Sequence, residues 1–244
     1  MRNDMIKPLM SLFLFFFLSL AQAADWVTNR DHSEIHFQVP YMGVSELTGR
    51  FNEFTGKVHF SEDDKKILGL EVQISASSID TGNKMRDGHL KSGDFLKSQE
   101  HPTIVFKSRQ IVSMSKGRFK ASGGMTIKGI TKPASIEFST SEVVKDTWGY
   151  KNRFVKFKSS LNRKDYQINW NKTLDGQQFL VGDEVSFWGT FQLQPVTTTT
   201  PNSKHMIPDT KYIRQRDSER INNEKSKDEE SVFSQKLRKL INGK

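Results

Sequence analysis

The chain has 244 residues, of which 27% are charged and 35% are hydrophobic, with a formal net charge of +9 and no cysteine. The lack of cysteine excludes disulfides, thiolate metal sites, iron–sulfur clusters and cysteine nucleophiles. About half of the net charge belongs to residues 196–244. The remaining charge is too weak and too scattered to indicate nucleic-acid binding.

The first 23 residues have the pattern of a secretory signal peptide. Arg2 and Lys7 precede an apolar run over residues 9–20, and the small residues Ala21 and Ala23 follow it. A charged region, an apolar region and a cleavage site of small residues in this order are typical of exported proteins. The apolar run is shorter than the roughly 20 residues that span a bilayer, which disfavours the alternative of an uncleaved anchor. We therefore expect residues 1–23 to be removed, which leaves a domain over residues 24–195 and a tail over residues 196–244.

Residues 24–195 alternate apolar and polar side chains with a period of two, which indicates β-strands. The first clear strand contains Ile35, Phe37 and Val39. The next pattern, over residues 47–60, places Phe51 out of phase with its neighbours, so we expect a glycine-assisted bulge or bend there. A further strand follows at residues 68–76.

The longest interruption of this pattern separates that strand from the next one, at residues 103–106. Its mixture of apolar and charged residues argues against disorder and is typical of a lid or binding loop. We expect a short helical cap over residues 86–96, fixed by a charge pair between Arg86 and Asp87. The apolar residues that would close one end of the domain are Leu90, Phe95 and Leu96. The sequence leaves open whether the cap moves as a gate or is a fixed plug.

More short strands follow, including one that starts at Ile136 after Pro133, and the last runs over residues 185–193 and ends at Pro195. About eight strands without a long helix predict an all-β domain. Glycines inside the strands favour a closed, antiparallel, eight-stranded β-barrel with a short helical insertion, and a two-sheet sandwich is the alternative.

The tail over residues 196–244 is polar and charged, which predicts disorder. Within residues 231–241, however, Phe233, Leu237 and Leu240 have helical spacing. This pattern predicts a short amphipathic helix and a contact with an anionic membrane surface through residues 228–244. The alternative is a solvated tail with only nascent helix.

No pattern of catalytic or metal-binding residues is present. The six histidines lack the spacing of known metal motifs, no G-x-S-x-G sequence occurs, and no glycine-rich loop precedes a helix. We therefore expect no catalytic residue, no metal and no cofactor, and hence a protein that is not an enzyme.

The abundant apolar residues of the strands are the remaining candidates for function. The chain has 18 phenylalanines, most of them on strand faces. The inward face of an eight-stranded barrel either fills a packed core or lines a cavity for one ligand, and a hydrocarbon would suit such a lining. The predicted pore and cap residues are Phe37, Val39, Phe54, Val58, Val72, Ile74, Leu90, Phe95, Phe106, Ile127, Phe138, Phe157 and Phe187.

Several short motifs occur along the domain: residues 31–37 (DHSEIHF), 49–51 (GRF), 54–56 (FTG), 78–82 (SIDTG), 86–90 (RDGHL), 102–106 (PTIVF), 125–133 (MTIKGITKP), 162–166 (NRKDY) and 181–185 (VGDEV). In their order and spacing these motifs resemble the YceI-like family of polyisoprenoid-binding proteins. Two positions depart from the family pattern: Tyr41 stands where many relatives have histidine, and Tyr166-Gln167 replaces the usual Phe-Gly.

The resemblance implies a lipocalin-like barrel whose apolar pore holds an isoprenoid lipid, either a polyprenyl chain or an isoprenoid quinone. It also implies a periplasmic location in a Gram-negative bacterium, and it allows a homodimer. The expected function is non-enzymatic binding, storage or transport of that lipid. The alternatives are a quinone- or haem-linked redox accessory protein, or an envelope interaction protein that acts through its basic tail.

Overall fold

The computed structural model describes residues 24–61, 63, 66–173 and 179–196. The predicted signal peptide, the helix over residues 231–241 and the membrane contact over residues 228–244 lie outside these ranges. Within them, no helix has the length and apolar character needed to cross a membrane.

Strands and one short helix make up the described part of the chain. The strands are β1 (Ala24–Tyr41), β2 (Ser45–Phe51), β3 (Phe54–Phe60), β4 (Ile67–Ser75), β5 (Ile79–Asp80), β6 (Thr103–Ser115), β7 (Arg118–Ile127), β8 (Ile130–Thr140), β9 (Val144–Lys145), β10 (Lys151–Asn162) and β11 (Glu184–Pro195). The helix is α1 (Lys84–Lys91), and two 3₁₀ turns cover Ala76–Ser78 and Arg163–Tyr166.

The long strands form a closed antiparallel barrel in the order β1-β3-β4-β6-β7-β8-β10-β11, with β11 pairing back onto β1. Strands β2 and β3 together occupy one position in the wall, because β3 pairs with the first part of β1 and β2 pairs with the second part. The wall is therefore eight strands wide. The predicted all-β barrel with a short helical insertion is confirmed.

The predicted bend within residues 47–60 is also present, although glycine does not cause it. The strand breaks at Asn52 and Glu53, between β2 and β3. This break lets Phe51 and Phe54 both face the interior. Gly49 instead makes room for a neighbouring side chain, because a Cβ atom there would collide with the ring of Phe37.

One end of the barrel is filled by tightly packed side chains. Trp26, Phe60, Phe191 and Leu193 are at most 2% exposed. The guanidinium of Arg153 lies 4.3 Å from the ring centre of Phe60, a distance typical of cation–π contacts. This half of the barrel is therefore a core of buried side chains.

Strand β8 differs from the sequence-based expectation. It begins at Ile130 and runs through Pro133, whereas the sequence placed its start after that proline. It pairs with β7 from Ile130 to Ser139 but with β10 at only four positions, all of them after Pro133. Proline cannot donate a ladder hydrogen bond and is tolerated where one side of a strand is unpaired.

Candidate functional site

A cavity of about 170 Å³ occupies the half of the barrel opposite the packed end. Its lining is apolar apart from His36 and Arg163. The apolar residues are Ile35, Phe37, Val39, Phe51, Ile74, Ile79, Leu90, Phe95, Leu96, Ile104, Met125, Ile127, Leu161, Ile168, Val181, Val185 and Phe187. A smaller cavity of about 40 Å³ extends towards the packed end and shares with the larger one Ile35, Ile74, Ile104, Met125 and Phe187. Together they give the barrel an elongated apolar interior.

The structure places the predicted pore residues at different depths. Seven of them line the larger cavity: Phe37, Val39, Ile74, Leu90, Phe95, Ile127 and Phe187. Four others line the smaller cavity: Val72, Phe106, Phe138 and Phe157. Phe54 and Val58 line neither, since Phe54 packs on Phe191 and Val58 is 2% exposed in the core. The period of two identifies an inward side chain, but it does not tell how far along the barrel that side chain lies.

Helix α1 and the turns after it form the predicted cap. The side chain of Asn83 begins the helix by accepting a hydrogen bond from the backbone N–H of Arg86 at 3.1 Å. Leu90 reaches the cavity from the last turn of the helix, and the buried Phe95 and Leu96 follow it. These three apolar side chains line the cavity at this end.

Thr81 holds the cap by binding both residues of the predicted charge pair. Its backbone N–H and its hydroxyl donate to Oδ1 of Asp87 at 2.9 and 2.6 Å. Its hydroxyl oxygen also accepts from Nε of Arg86 at 2.8 Å. Arg86 and Asp87 therefore fix the cap through a shared partner, in place of the direct pair that the sequence suggested.

A cluster of rings joins the cap to the loop that follows β10. His89 and Phe95 both pack against Trp170, and their ring centres lie 4.8 and 5.2 Å, respectively, from the ring centre of Trp170. His89 also hydrogen-bonds Asp94 at 2.8 Å. On another side, Nζ of Lys128 donates to the carbonyls of Gly93 and Gln167 at 3.1 Å each. The cap thus rests on contacts from two separate parts of the barrel.

Arg163 organises the cavity wall formed by the loop between β10 and β11. Its guanidinium donates to the carbonyls of Gly182, Ile168 and Trp170 at 2.8 Å each. Longer contacts reach the carbonyl of Val181 at 3.3 Å and Oδ1 of Asp183 at 3.4 Å, and the residue is 3% exposed. Burial lowers the pKa of the guanidinium, and the charge of Asp183 acts in the opposite direction.

A carboxylate outside the cavity ties β2 to β5. Asp80 accepts hydrogen bonds from the backbone N–H of Gly82 at 2.9 Å, from Asn52 at 3.1 Å and from Arg50 at 3.1 Å. These bonds lower the pKa of Asp80 to about 2, the bond from Gly82 contributing most. The link matters for the cavity because Phe51 and Ile79, adjacent to these residues, pair across the same two strands and line it.

Two groups of lining residues escaped the sequence-based prediction. Ile104, Met125 and Leu161 lie on strands in which apolar and polar residues alternate, so the period of two could have identified them. Ile168 and Val181 lie in a loop without periodicity, so no such signal points to them. Arg163 lies in the motif at residues 162–166, and three of its partners lie in the motif at residues 181–185. The motifs therefore pointed to these residues, although not to the contact between them.

The titratable side chains near the barrel do not converge on a common point. In the described part of the chain, no group of three or more histidine and carboxylate side chains is arranged to hold a metal ion. His36, His59 and His89 each contact one carboxylate, from Glu34, Asp25 and Asp94 respectively. The apolar cavity is thus the site with the clearest geometry.

The fold and this site define a class of protein: an antiparallel β-barrel that encloses an apolar cavity beneath a helical cap. The YceI-like domain family matches residues 26–193, and the chain belongs to that family. The family resemblance seen in the sequence is confirmed.

Relatives and solved structures agree with this assignment. The chain is 33% identical over 150 residues to a UPF0312 protein of Vibrio parahaemolyticus, which covers 61% of this chain and 79% of the relative. It is 31% identical over 169 residues to a UPF0312 protein of Vibrio cholerae, which covers 67% and 89%. Among solved structures, BcnA of Burkholderia cenocepacia has a TM-score of 0.58 at 18% identity, over 68% of this chain and 98% of that one. A polyisoprenoid binding domain from Saccharophagus degradans has a TM-score of 0.52 at 12% identity, over 72% and 100%. At these identities the structural likeness concerns the fold.

Proposed function

We propose that this protein binds an isoprenoid lipid non-enzymatically, with the hydrocarbon chain inside the barrel, and stores or carries it. The elongated, capped, apolar cavity is the observation that supports this proposal. A structural neighbour that is described as a polyisoprenoid binding domain adds support at the level of the fold.

Burial of hydrocarbon alone supplies enough free energy for such binding. Each buried methylene contributes about 0.8 kcal/mol. A few isoprene units therefore offset an association cost of about 4–15 kcal/mol without polar recognition of the chain. The lining meets this requirement because its apolar side chains come from most strands of the barrel wall.

Mass spectrometry of an organic extract from the purified protein tests the proposal, together with uptake of an added polyprenyl alcohol. A matched pair of variants sharpens the test. Ile74→Phe places a larger side chain at a position that lines both cavities. Val112→Phe makes the same kind of change at a residue that is 42% exposed on β6. We expect Ile74→Phe to reduce uptake and Val112→Phe to leave it unchanged. Absence of lipid in repeated extracts, with no uptake by the wild type, would refute the proposal.

We also propose a periplasmic location, based on the signal-like residues 1–23. Release of a form that begins at Ala24 by osmotic shock, shown by amino-terminal sequencing, is the expected result. Recovery of the uncleaved chain with the membrane fraction would contradict it.

A further inference from the structure

The barrel wall is incomplete between β8 and β10. These strands pair at only four positions, between Glu137 and Thr140 of β8 and between Val155 and Lys158 of β10. Towards the capped end, residues 130–136 and 159–162 run past each other without ladder pairing. A single side-chain hydrogen bond crosses here, from Oγ of Ser159 to the carbonyl of Ser135 at 2.6 Å.

A groove of about 970 Å³ covers this gap on the outside of the barrel. Ala134, Ser159 and Leu161 line the groove, although alternation with the buried Ile136 and Val155 places them on the inward face of their strands. Inward positions border an outer groove only where the wall is open. Leu161 also lines the internal cavity, as does Phe187, which borders the groove as well. The groove and the cavity therefore meet through the gap.

The polar end of a bound lipid has no suitable place inside the cavity. The N–H groups of Arg163 already bind carbonyls and Asp183. His36 hydrogen-bonds Glu34 at 3.0 Å and stacks on Trp188. At the capped end, Phe95 and Leu96 are only 8% and 9% exposed. A polar group confined there would lose hydration without gaining partners, which is costly.

The groove offers hydroxyl groups and an excess of negative charge. Its lysines, Lys120 and Lys158, both stand opposite Glu137 in the strand pairing. With Asp165 and Glu184, the groove has three carboxylates against these two lysines, an excess of one negative charge. A phosphate or diphosphate would meet repulsion from these carboxylates. A neutral group would instead find the hydroxyls of Ser135 and Ser160, which can donate and accept hydrogen bonds.

We propose that this groove is a head-group subsite, in which a neutral, hydrogen-bonding end of the lipid lies while its chain passes through the wall gap into the cavity. A hydroxyl group or a quinone ring fits this chemistry. The inference rests on the proposed lipid binding and adds the position and the chemical class of the head group.

Three probes of equal chain length separate the two parts of the proposal: geranylgeraniol, geranylgeranyl diphosphate and the hydrocarbon phytane. The groove variant is Ser160→Trp, at an exposed serine of β10 that lines the groove. Ser186→Trp, at the paired position of β11 in the same groove, is a second variant in case the first fails to fold. The control is Ser113→Trp, at an exposed serine of β6 that does not line the groove. Dissociation constants come from equilibrium partition, and thermal unfolding verifies folding.

We expect the wild type to bind geranylgeraniol more tightly than the diphosphate. We also expect the groove variants to weaken geranylgeraniol binding about tenfold, equivalent to one or two lost hydrogen bonds, and to leave phytane binding unchanged. Groove variants that weaken neither probe, or both equally, would overturn the subsite while the lipid-binding function stands. Tighter binding of the diphosphate would overturn the neutral class of head group. If none of the three probes binds to the wild type, the proposed function fails and the subsite with it.

Discussion

Replacing Arg163 tests whether one buried side chain holds the cavity wall together. Its guanidinium binds carbonyls of Ile168, Trp170 and Gly182, which belong to a loop that has little regular secondary structure among its described residues. Arg163→Met keeps an unbranched apolar stem and removes all of these donors. We therefore expect the loop to lose its position and the cavity to lose the wall that contains Ile168.

The expected loss of stability in Arg163→Met follows from the hydrogen bonds that the guanidinium donates. Three of them are 2.8 Å long, and a hydrogen bond that involves a charged group contributes about 1.5–3 kcal/mol. The two longer contacts, at 3.3 and 3.4 Å, add little. Water reaches some of the released carbonyls, so we expect Arg163→Met to lower the free energy of unfolding by about 3–5 kcal/mol. Arg163→Lys keeps the charge without the planar fork of donors and should lose roughly half as much.

Urea unfolding followed by tryptophan fluorescence measures this loss. Arg118→Met, at an exposed arginine of β7, is the matched control and should change stability by less than about 0.5 kcal/mol. Hydrogen exchange adds a local readout, because the amide of Gly182 donates to the carbonyl of Pro40 at 2.8 Å and should lose protection in Arg163→Met. A loss below about 1 kcal/mol, with that amide still protected, would refute the reasoning.

Two further predictions concern the cap and the pH dependence of stability. Phe95→Ala should speed the release of a bound polyprenyl alcohol more than it lowers stability. The control Met85→Ala, at a cap residue that is 88% exposed, should change neither. Equal losses of retention and stability for Phe95→Ala would indicate a fixed plug. Because the pKa of Asp80 falls from 3.8 to about 2 on folding, its ionised form stabilises the fold, fully above pH 3.8 and not at all once the pH has fallen through about 2. Asp80→Asn should therefore reduce the pH dependence of urea unfolding in this window, and an unchanged dependence would contradict the assignment.

The sequence predicted much of the barrel because strand patterns are local. Alternation alone marked Phe37, Ile74 and Phe187 as inward residues, and the structure places all three around the larger cavity. The cap was predicted for a similar reason, since Leu90 and Phe95 stood out as apolar residues in a charged insertion. Phe54 and Val58 carry the same signal, yet they lie in the packed half. Their depth depends on how strands far apart in the chain align.

Pairings between distant residues decided the features that sequence patterns missed. Arg163 meets acceptors that lie up to 20 residues further along the chain, in a segment without periodicity. The gap between β8 and β10 begins where the ladder pairing of the two strands ends, at Glu137 and Lys158. Neither feature changes the local hydrophobic pattern of its strand.

The amino-acid sequence by itself therefore determined which side chains face the interior and which segment caps it, because both follow from the composition and period of short segments. Only the tertiary structure decided which half of the interior is packed, which half holds the cavity and where the wall opens. These properties depend on the register between strands such as β1 and β11, which close the barrel from opposite ends of the domain. Strand register is set by the packing of the whole barrel, so no short segment contains it.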